Sequence, residues 1–397
     1  MILGTLFIWF LYVLAAGLLA AVAHLWVLAL VGARPRKKRD PPTSHEPLFA
    51  VIVPAHNEET TLPELMRSLQ ALDYPRPRYD VWVIADNCTD RTATIARRWG
   101  AECLERRDET HRGKGYALAY GFQRLCGASY DAIVVVDADC VVSRDLLREL
   151  ARRLASGSSA LQTSYRLTAQ PGLWSTWLVV ENLLEDRLFY GAKERLGLPT
   201  LLRGTGMCFT REALRRVPFD CGSITEDVEY TLRLLRAGIE PRFVPEAEVA
   251  SASPRTLRQM AQQRQRWSAG HMGLALREAP RLLREGLRSR NLRLCEFAGS
   301  MLVTSKSALA GLAVVGLLLS VPANHWIASG RAPAWPFLGV LAAISVYFLL
   351  GVLLYRPAPV ELLRLAGLPF LAIWRMAVHL AAVVSYRRLG WVRTSRG

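Results

Sequence analysis

Two aspartates flanking one alanine, Asp137 and Asp139 in VVVDADC, are the residues whose types say most about chemistry. They stand just past an apolar run, so both carboxylates can turn toward one point, where hard oxygen ligands suit Mg2+ or Mn2+ bridging a diphosphate. Like charges that close repel unless a cation compensates them. The same triplet also arises by chance in surface loops. A second acidic group, Thr225, Glu226 and Asp227, opens a helical pattern reaching about Ala237. Thr225 suits an N-cap there and the acids suit the helix dipole; read as chemistry, Asp227 is a general base able to take a proton from an attacking hydroxyl.

Cations and an aromatic accompany these acids. His111, Arg112, Gly113 and Lys114 place fixed charge and a flexible glycine ahead of a helix, where a diphosphate could sit, although a solvated loop has the same composition. Gln263, Arg266 and Trp267 share one helix face by their i, i+3, i+4 spacing. Arg266 could neutralise a departing diphosphate and Trp267 could stack on a sugar ring. The ordinary alternative is a helix that packs its tryptophan inward and leaves its arginines in solvent.

The elements that must hold these residues read as an α/β domain over 47–279, with short apolar runs alternating with amphipathic helices. Buried parallel strands are expected at 49–53, 81–85 and 132–136, and helices at 60–72, 90–99, 114–126 and 143–155. The segment VIVPAHNEE stops its strand at Pro54 and opens into a helix whose free backbone N–H groups suit phosphate or a polar base. In VIADNCTD, Asp86 stands directly after its strand and can accept from a base or ribose, with Thr89 or Asp90 able to cap the next helix. Open α/β sheets collect ligand-binding groups at such strand ends. The mixed run 174–190 is either an amphipathic helix on a bilayer or sheet, or ordinary core packing.

Both ends of the 397-residue chain are apolar. No charged residue stands between Ile2 and Val31, with His24 the one readily ionisable group, and such a helix exceeds the ~30 Å hydrocarbon core. It lacks the basic start of a cleaved signal. A transmembrane helix is expected over 1–33, then a basic linker over 34–46 carrying Arg34, Arg36, Lys37, Lys38 and Arg39, which favours a cytoplasmic position for the α/β domain and an N-terminus outside. A basic interfacial segment at 280–296 leads to membrane or interfacial helices over 297–386, with spans at 297–321 and 335–355, and to a basic tail at 387–397. The stretch 362–384 is expected to be interfacial or re-entrant, because a fourth span would put the tail's arginines outside. In membrane context the net charge of +16 points to anionic headgroups or phosphorylated substrates rather than nucleic acid. Seven cysteines without a C-x-x-C pair suggest neither a disulfide framework nor a zinc site.

Taken in order, the motifs resemble family 2 glycosyltransferases, especially the membrane-bound branch that includes cellulose, hyaluronan, chitin-oligosaccharide and poly-N-acetylglucosamine synthases. The resemblance implies a GT-A (Rossmann-like) cytoplasmic domain flanked by transmembrane helices in the plasma (inner) membrane. It implies a nucleotide held by Pro54, Ala55, Asn57, Glu58, Asp86, Lys114 and Asp137, with a metal at Asp137 and Asp139 and Arg266 on the diphosphate. Asp227 would be the base of an inverting transfer, and Gly204, Thr205, Gly206, Glu226, Gln263 and Trp267 would meet the acceptor. The donor implied is a UDP-sugar and the acceptor a membrane-associated glycan; a polyprenyl phosphate, sphingolipid or other membrane lipid is the alternative. An export partner is not identifiable, and the absence of a G-x-x-x-x-G-K-[ST] loop argues against a nucleotide-driven transporter. One departure is D-N-C-T-D, at Asn87 and Cys88, where many relatives have D-G-S-T-D. A second is a C-terminal membrane portion shorter than that of the large polymer-secreting synthases.

Overall fold

Strand β1 (Phe49–Ala55) is apolar throughout, and its alternate residues enter two different cores. Phe49, Val51, Val53 and Ala55 pack with Leu62, Leu65, Met66 and Leu69 of α2 (Leu62–Gln70), Ala96 of α3 (Thr92–Arg98) and Leu146, Leu147 and Leu150 of α5 (Leu146–Ala155). Ala50 and Ile52 face Leu118 and Phe122 of α4 (Lys114–Leu125), Leu214 of α8 (Arg211–Arg216) and Tyr230 of α9 (Glu226–Arg236). A strand covered on both faces has no reason to alternate polar and apolar residues, and this one does not.

The computed structural model describes residues 2–34, 43, 45–170, 173–221, 225–254, 257–303, 306–326 and 333–355. Around β1 the sheet comprises β2 (Tyr79–Asp86), β3 (Glu102–Arg106), β4 (Ala132–Val135), β5 (Cys140–Val142), β6 (Ala160–Thr168), β7 (Met207–Thr210) and β8 (Arg242–Ala252), in the order β3-β2-β1-β4-β7-β6-β8-β5. Strands β2, β1 and β4 are parallel, as expected, and β3, a strand the sequence reading did not include, adds a further parallel edge. Strand β7 runs antiparallel to both β4 and β6, so the sheet as a whole is mixed. The expected strand stop at Pro54 is corrected: Pro54 pairs in register with Ile84 and the strand ends at Ala55. Pairing with β4 ends at Ile52, so the N–H that proline lacks is not required on that side.

By internal contacts the chain divides into two units, of which this sheet and its helices, with α7 (Gly191–Arg195), form one, over 35–171 and 190–255 with the tail. The other holds 1–34, 172–189 and 256–389. It contains α1 (Ile2–Gly32), α6 (Leu173–Leu184), α10 (Leu257–Arg288), α11 (Leu292–Val303), α12 (Lys306–Trp326) and α13 (Ala334–Tyr355). Among the described residues, three stretches are long and apolar enough to cross a membrane: Ile2–Gly32, Lys306–Ala323 and Ala334–Tyr355. Of the span expected at 297–321, residues 297–303 lie on α11 and 306–321 on α12, with 304–305 outside the described residues; α11 also carries Glu296 and Ser300, which lie 3.5 and 3.3 Å from His24 of α1. On α6, Trp177 stacks on Phe348 of α13 at 4.5 Å. The stretch 362–384 lies outside the described residues.

Gly206 joins the two halves of the sheet: its N–H donates to Val135 O and its C=O accepts from Thr163 N, each at 2.8 Å, at φ +65°. A Cβ there would fall on Thr163 Oγ1 and lie 3.2 Å from Val249 Cγ2. Gly206→Ala is therefore expected to destabilise this unit by about 2–4 kcal/mol, with Thr163→Ala restoring part of the loss. Thermal unfolding of the purified chain measures both; an unchanged melting temperature for Gly206→Ala would contradict the assignment.

Candidate active site

Because β2, β1 and β4 are adjacent and parallel, the loops after them open on one edge of the sheet. The β1 turn is tied to the β2 loop through its backbone. His56 Nδ1 lies 2.7 Å from Asp86 O, Asn57 Oδ1 accepts from Thr89 N at 2.7 Å, and Glu58 N donates to Thr92 Oγ1 at 2.8 Å. The expected cap by Asp90 is corrected: Arg91 occupies the N-cap of α3 without a side-chain capping bond, while Asp90, one residue earlier, accepts from Thr92 N at 2.9 Å and from Glu59 N at 3.1 Å. Asn57 and Asn87 have φ of 55° and 50°, left-handed positions where asparagine is the best side-chain-bearing substitute for glycine. That accounts for Asn87 in place of the usual glycine. Its side chain also bonds Asp86 Oδ1 and both N–H and C=O of Asp108. Cys88 accepts from Asn57 N at 3.4 Å, so the cysteine of this motif serves the β1 turn.

Asp86 has a partner that sequence order conceals. Arg106, the last residue of β3, reaches Asp86 Oδ1 at 2.7 Å and Asp108 Oδ2 at 2.9 Å. Burial pushes the Asp86 carboxyl up, and the Arg106 guanidinium counters that only in part. In the sequence Arg106 looks like one of a solvated basic run with Arg107 and Arg112; the signal is its place at the end of the strand beside Asp86.

At the centre of the edge is Lys114, the first residue of α4. Its ammonium pairs with Asp137 Oδ1 and donates to Gly204 O at 2.9 Å. Glu226 and Asp227 also act on it electrostatically, and the carboxylates together raise its pKa against the opposing effect of burial. Glu226 is almost fully buried, and burial followed by the Asp227 charge pushes its carboxyl up to about 8. Asp227 is partly exposed; its Oδ1 accepts from Val228 N at 2.8 Å, while its Oδ2 lies toward Gly204. Thr225 occupies the N-cap of α9 but its side chain makes no capping bond. Gly115 lets the two helices meet, since a Cβ there would strike Cys221 O and come within 3.3 Å of Glu226 Cβ.

The 202–206 loop is positioned by groups that sequence reading passed over. Gln162, fully buried on β6, accepts from Arg203 N at 2.8 Å and donates to Thr205 O at 2.9 Å. Thr231 accepts from Leu202 N and donates to Asp227 O, so α9 holds loop and base together. Arg203 lies over the rings of Tyr190 and Tyr165, 4.7 and 5.4 Å from their centroids. Thr205 Oγ1 accepts from Asp137 N at 3.0 Å, which ties the loop to the first aspartate.

Asp137 and Asp139 are both partly exposed around buried Ala138. Among the described residues no group of three or more His, Cys, Asp and Glu could hold a metal alone. Two hard carboxylates fit a divalent ion that takes its remaining oxygens from phosphate and water, as Mg2+ habitually does. Gln263, Arg266 and Trp267 fall on α10, in the other unit, and their side chains are outside the described residues.

The raised Glu226 carboxyl gives a sign for the pH dependence. Its native value of about 8 stands above the ordinary 4.5, so between those limits the native state holds the extra proton. The stability cost of ionising it appears as pH rises through this window and is complete above about pH 8. Glu226→Gln should unfold at a higher temperature than wild type at pH 8.5 with little gain at pH 5; equal shifts at both would show that the proton is not the cause.

Comparison with known proteins bears on the fold and the family. A beta-monoglucosyldiacylglycerol synthase from Trichormus variabilis is 31% identical over 267 residues, 64% of this chain and 55% of that protein. An N-acetylglucosaminyltransferase from Rhizobium leguminosarum bv. viciae is 27% identical over 245 residues, 58% and 57% of the two chains. The chain thus spans about half the length of the curated relatives it matches. Among solved structures, a mannosyltransferase from Pyrobaculum calidifontis in complex with GDP-Man and Mn2+ superposes with a TM-score of 0.59 at 19% identity, covering 94% of this chain and 99% of that one. The fold is the GT-A fold with apolar helices beside it. The model described as "Glycosyltransferase like family 2" matches residues 46–270, more than half of the sequence, and the chain belongs to that family.

Proposed function

We propose that this chain is an inverting glycosyltransferase of the plasma (inner) membrane, with its sheet-bearing unit in the cytoplasm, that moves a sugar from a UDP-sugar to a membrane-associated acceptor. The observation that carries the reading is the meeting of Lys114, Asp137, Gly204, Glu226 and Asp227 at one sheet edge. Asp86 with Arg106 and the Pro54–Glu58 turn would hold the nucleoside, as β2 and β1 end beside β4. Asp137 and Asp139 would bind Mg2+ or Mn2+ together with the donor diphosphate, where the ion supplies Lewis-acid stabilisation of the leaving charge.

Asp227 is the partly exposed carboxylate beside the glycine loop, and it takes the proton of the acceptor hydroxyl. The acceptor oxygen then bonds to the anomeric carbon from the face opposite the departing diphosphate, and the breaking C–O electron pair leaves with that diphosphate. Lys114 keeps a positive charge near the growing negative charge. Glu226, kept protonated at neutral pH by burial, adds no second carboxylate charge beside the base and can donate a hydrogen bond. Gly204, Thr205 and Gly206 present backbone to the acceptor with little steric bulk. Gln263, Arg266 and Trp267 retain acceptor and diphosphate roles in this reading on sequence pattern alone.

The acceptor in the first reading is a growing exopolysaccharide or cell-envelope glycan. The second is single transfer to a lipid, favoured by the 31% identical relative named for a diacylglycerol glycolipid. Incubating the purified full chain with individual labelled nucleotide sugars and membrane lipids, then sizing the product, separates them: a ladder supports the polymer and a single glycolipid supports the lipid. Asp227→Asn and Asp139→Ala should each lower transfer at least about 10³-fold while membrane insertion is unchanged. Near-wild-type turnover in both would sink the assignment.

A further inference from the structure

Two small side chains connect Asp137 and Asp139 to each other. Thr205 and Cys140 are both almost fully buried, 3% exposed each. Thr205 Oγ1 accepts from Asp137 N at 3.0 Å and lies 3.8 Å from Cys140 Sγ, and Cys140 Sγ donates to Asp139 Oδ1 at 3.8 Å. Each of these side chains carries a single hydrogen. Because the thiol gives its hydrogen to the Asp139 carboxylate, its sulfur is left to accept, and the Thr205 hydroxyl is the donor to it. A relay of one direction therefore runs from the Asp137 N–H through hydroxyl and thiol to the Asp139 carboxylate.

The backbone on both sides of this relay is held. Cys140 N donates to Asp137 O at 3.0 Å, which closes the turn that carries both aspartates, and Cys140 pairs with Ser251 of β8. Thr205 O accepts from Gln162 of β6 at 2.9 Å, and the next residue, Gly206, donates to Val135 O of β4. Among the described residues Asp137, Asp139 and Cys140 do not make a three-ligand metal group, so the thiol acts on the carboxylate rather than as a ligand of its own.

We propose that Thr205 and Cys140 are positioning residues for a divalent cation, orienting Asp139 relative to Asp137 so that both carboxylates meet one ion, a role that rests on the metal reading of the two aspartates. Two carboxylates this close repel, and Asp137 is drawn to Lys114, so the direction of Asp139 needs a restraint of its own. A hydroxyl and a thiol supply it without adding charge to a site already crowded with acids. A carboxylate hydrogen-bonded by its neighbours is oriented before the ion arrives, and removing such a neighbour costs about 10–100-fold in metal affinity.

The test measures Mn2+ binding itself, by electron paramagnetic resonance of the free ion titrated against the purified full chain with UDP present. Thr205→Val and Cys140→Ala, which remove the hydroxyl and the thiol, are each expected to weaken Mn2+ by about ten-fold. Thr205→Ser and Cys140→Ser keep a donor and should recover most of that loss. Ser68→Ala removes the hydroxyl that accepts from Val142 N further along β5 and is the control for a general loosening of that strand; it should bind Mn2+ as wild type does. Where Thr205→Val fails to fold, the two Cys140 variants carry the test. Wild-type affinity in Thr205→Val and Cys140→Ala, no recovery in the serine variants, or an equal loss in Ser68→Ala would each overturn the proposal alone. Absence of Mn2+ binding by the wild-type chain would overturn the metal reading and the proposal with it.

Discussion

One ammonium among carboxylates is the constraint around which the sheet edge is built. Lys114 faces Asp137 from the end of β4 and Glu226 and Asp227 from the start of α9. At an effective dielectric of about 20, two unit charges 4 Å apart interact by ~4 kcal/mol. The repulsion among the acids is therefore comparable with the attraction each has for the lysine. Two features keep the balance: burial holds Glu226 largely protonated, and Lys114 adds a neutral bond to Gly204 O that fixes its direction. The close passage of α4 and α9 at Gly115 is the backbone condition for both.

The scaffold around that charge cluster is mostly uncharged. Gln162, Thr205 and Thr231 hold the glycine loop, while Asn57, Asn87 and Cys88 hold the turns at β1 and β2. Neutral hydrogen-bonding groups fix geometry without adding to the local electrostatic conflict, and when buried they must be satisfied, which makes them rigid. Arg106 and Asp86 are the exception, a buried pair that compensates itself two strands from the lysine.

The parallel half of the sheet was legible because 49–53, 81–85 and 132–136 are short runs of buried residues bounded by turns, and the acids that matter stand directly after them. Placement of Asp86 and Asp137 on the sheet-bearing unit was legible for the same reason, and that of Asp227 from the helical pattern that Thr225, Glu226 and Asp227 open. What was hidden depends on contacts distant in sequence. Gln162 reads as one polar residue on a strand, Arg106 as one more arginine, and Thr225 as a cap; only the fold turns the first two into supports and leaves the third without a capping bond. The contact between α1 and α11 was hidden because Glu296 and Ser300 have their partner, His24, on a helix nearly three hundred residues away.

Strand order also sets a timetable for synthesis. Strands β1 to β4 come from residues 49–135 and neighbour one another, so the parallel pairings of this half are available early in the emerging chain, with only β4 left to meet β7. Strand β5 comes next, at Cys140–Val142, yet its partner in the sheet is β8, which spans Arg242–Ala252 and is made about a hundred residues later. Asp137 and Asp139 sit in the short stretch between an early-completed strand and one that must wait. Their mutual geometry is therefore fixed last, when β8 docks, and a nascent or truncated chain lacking β8 would have its nucleotide-facing strands in place while still unable to present both aspartates to one ion.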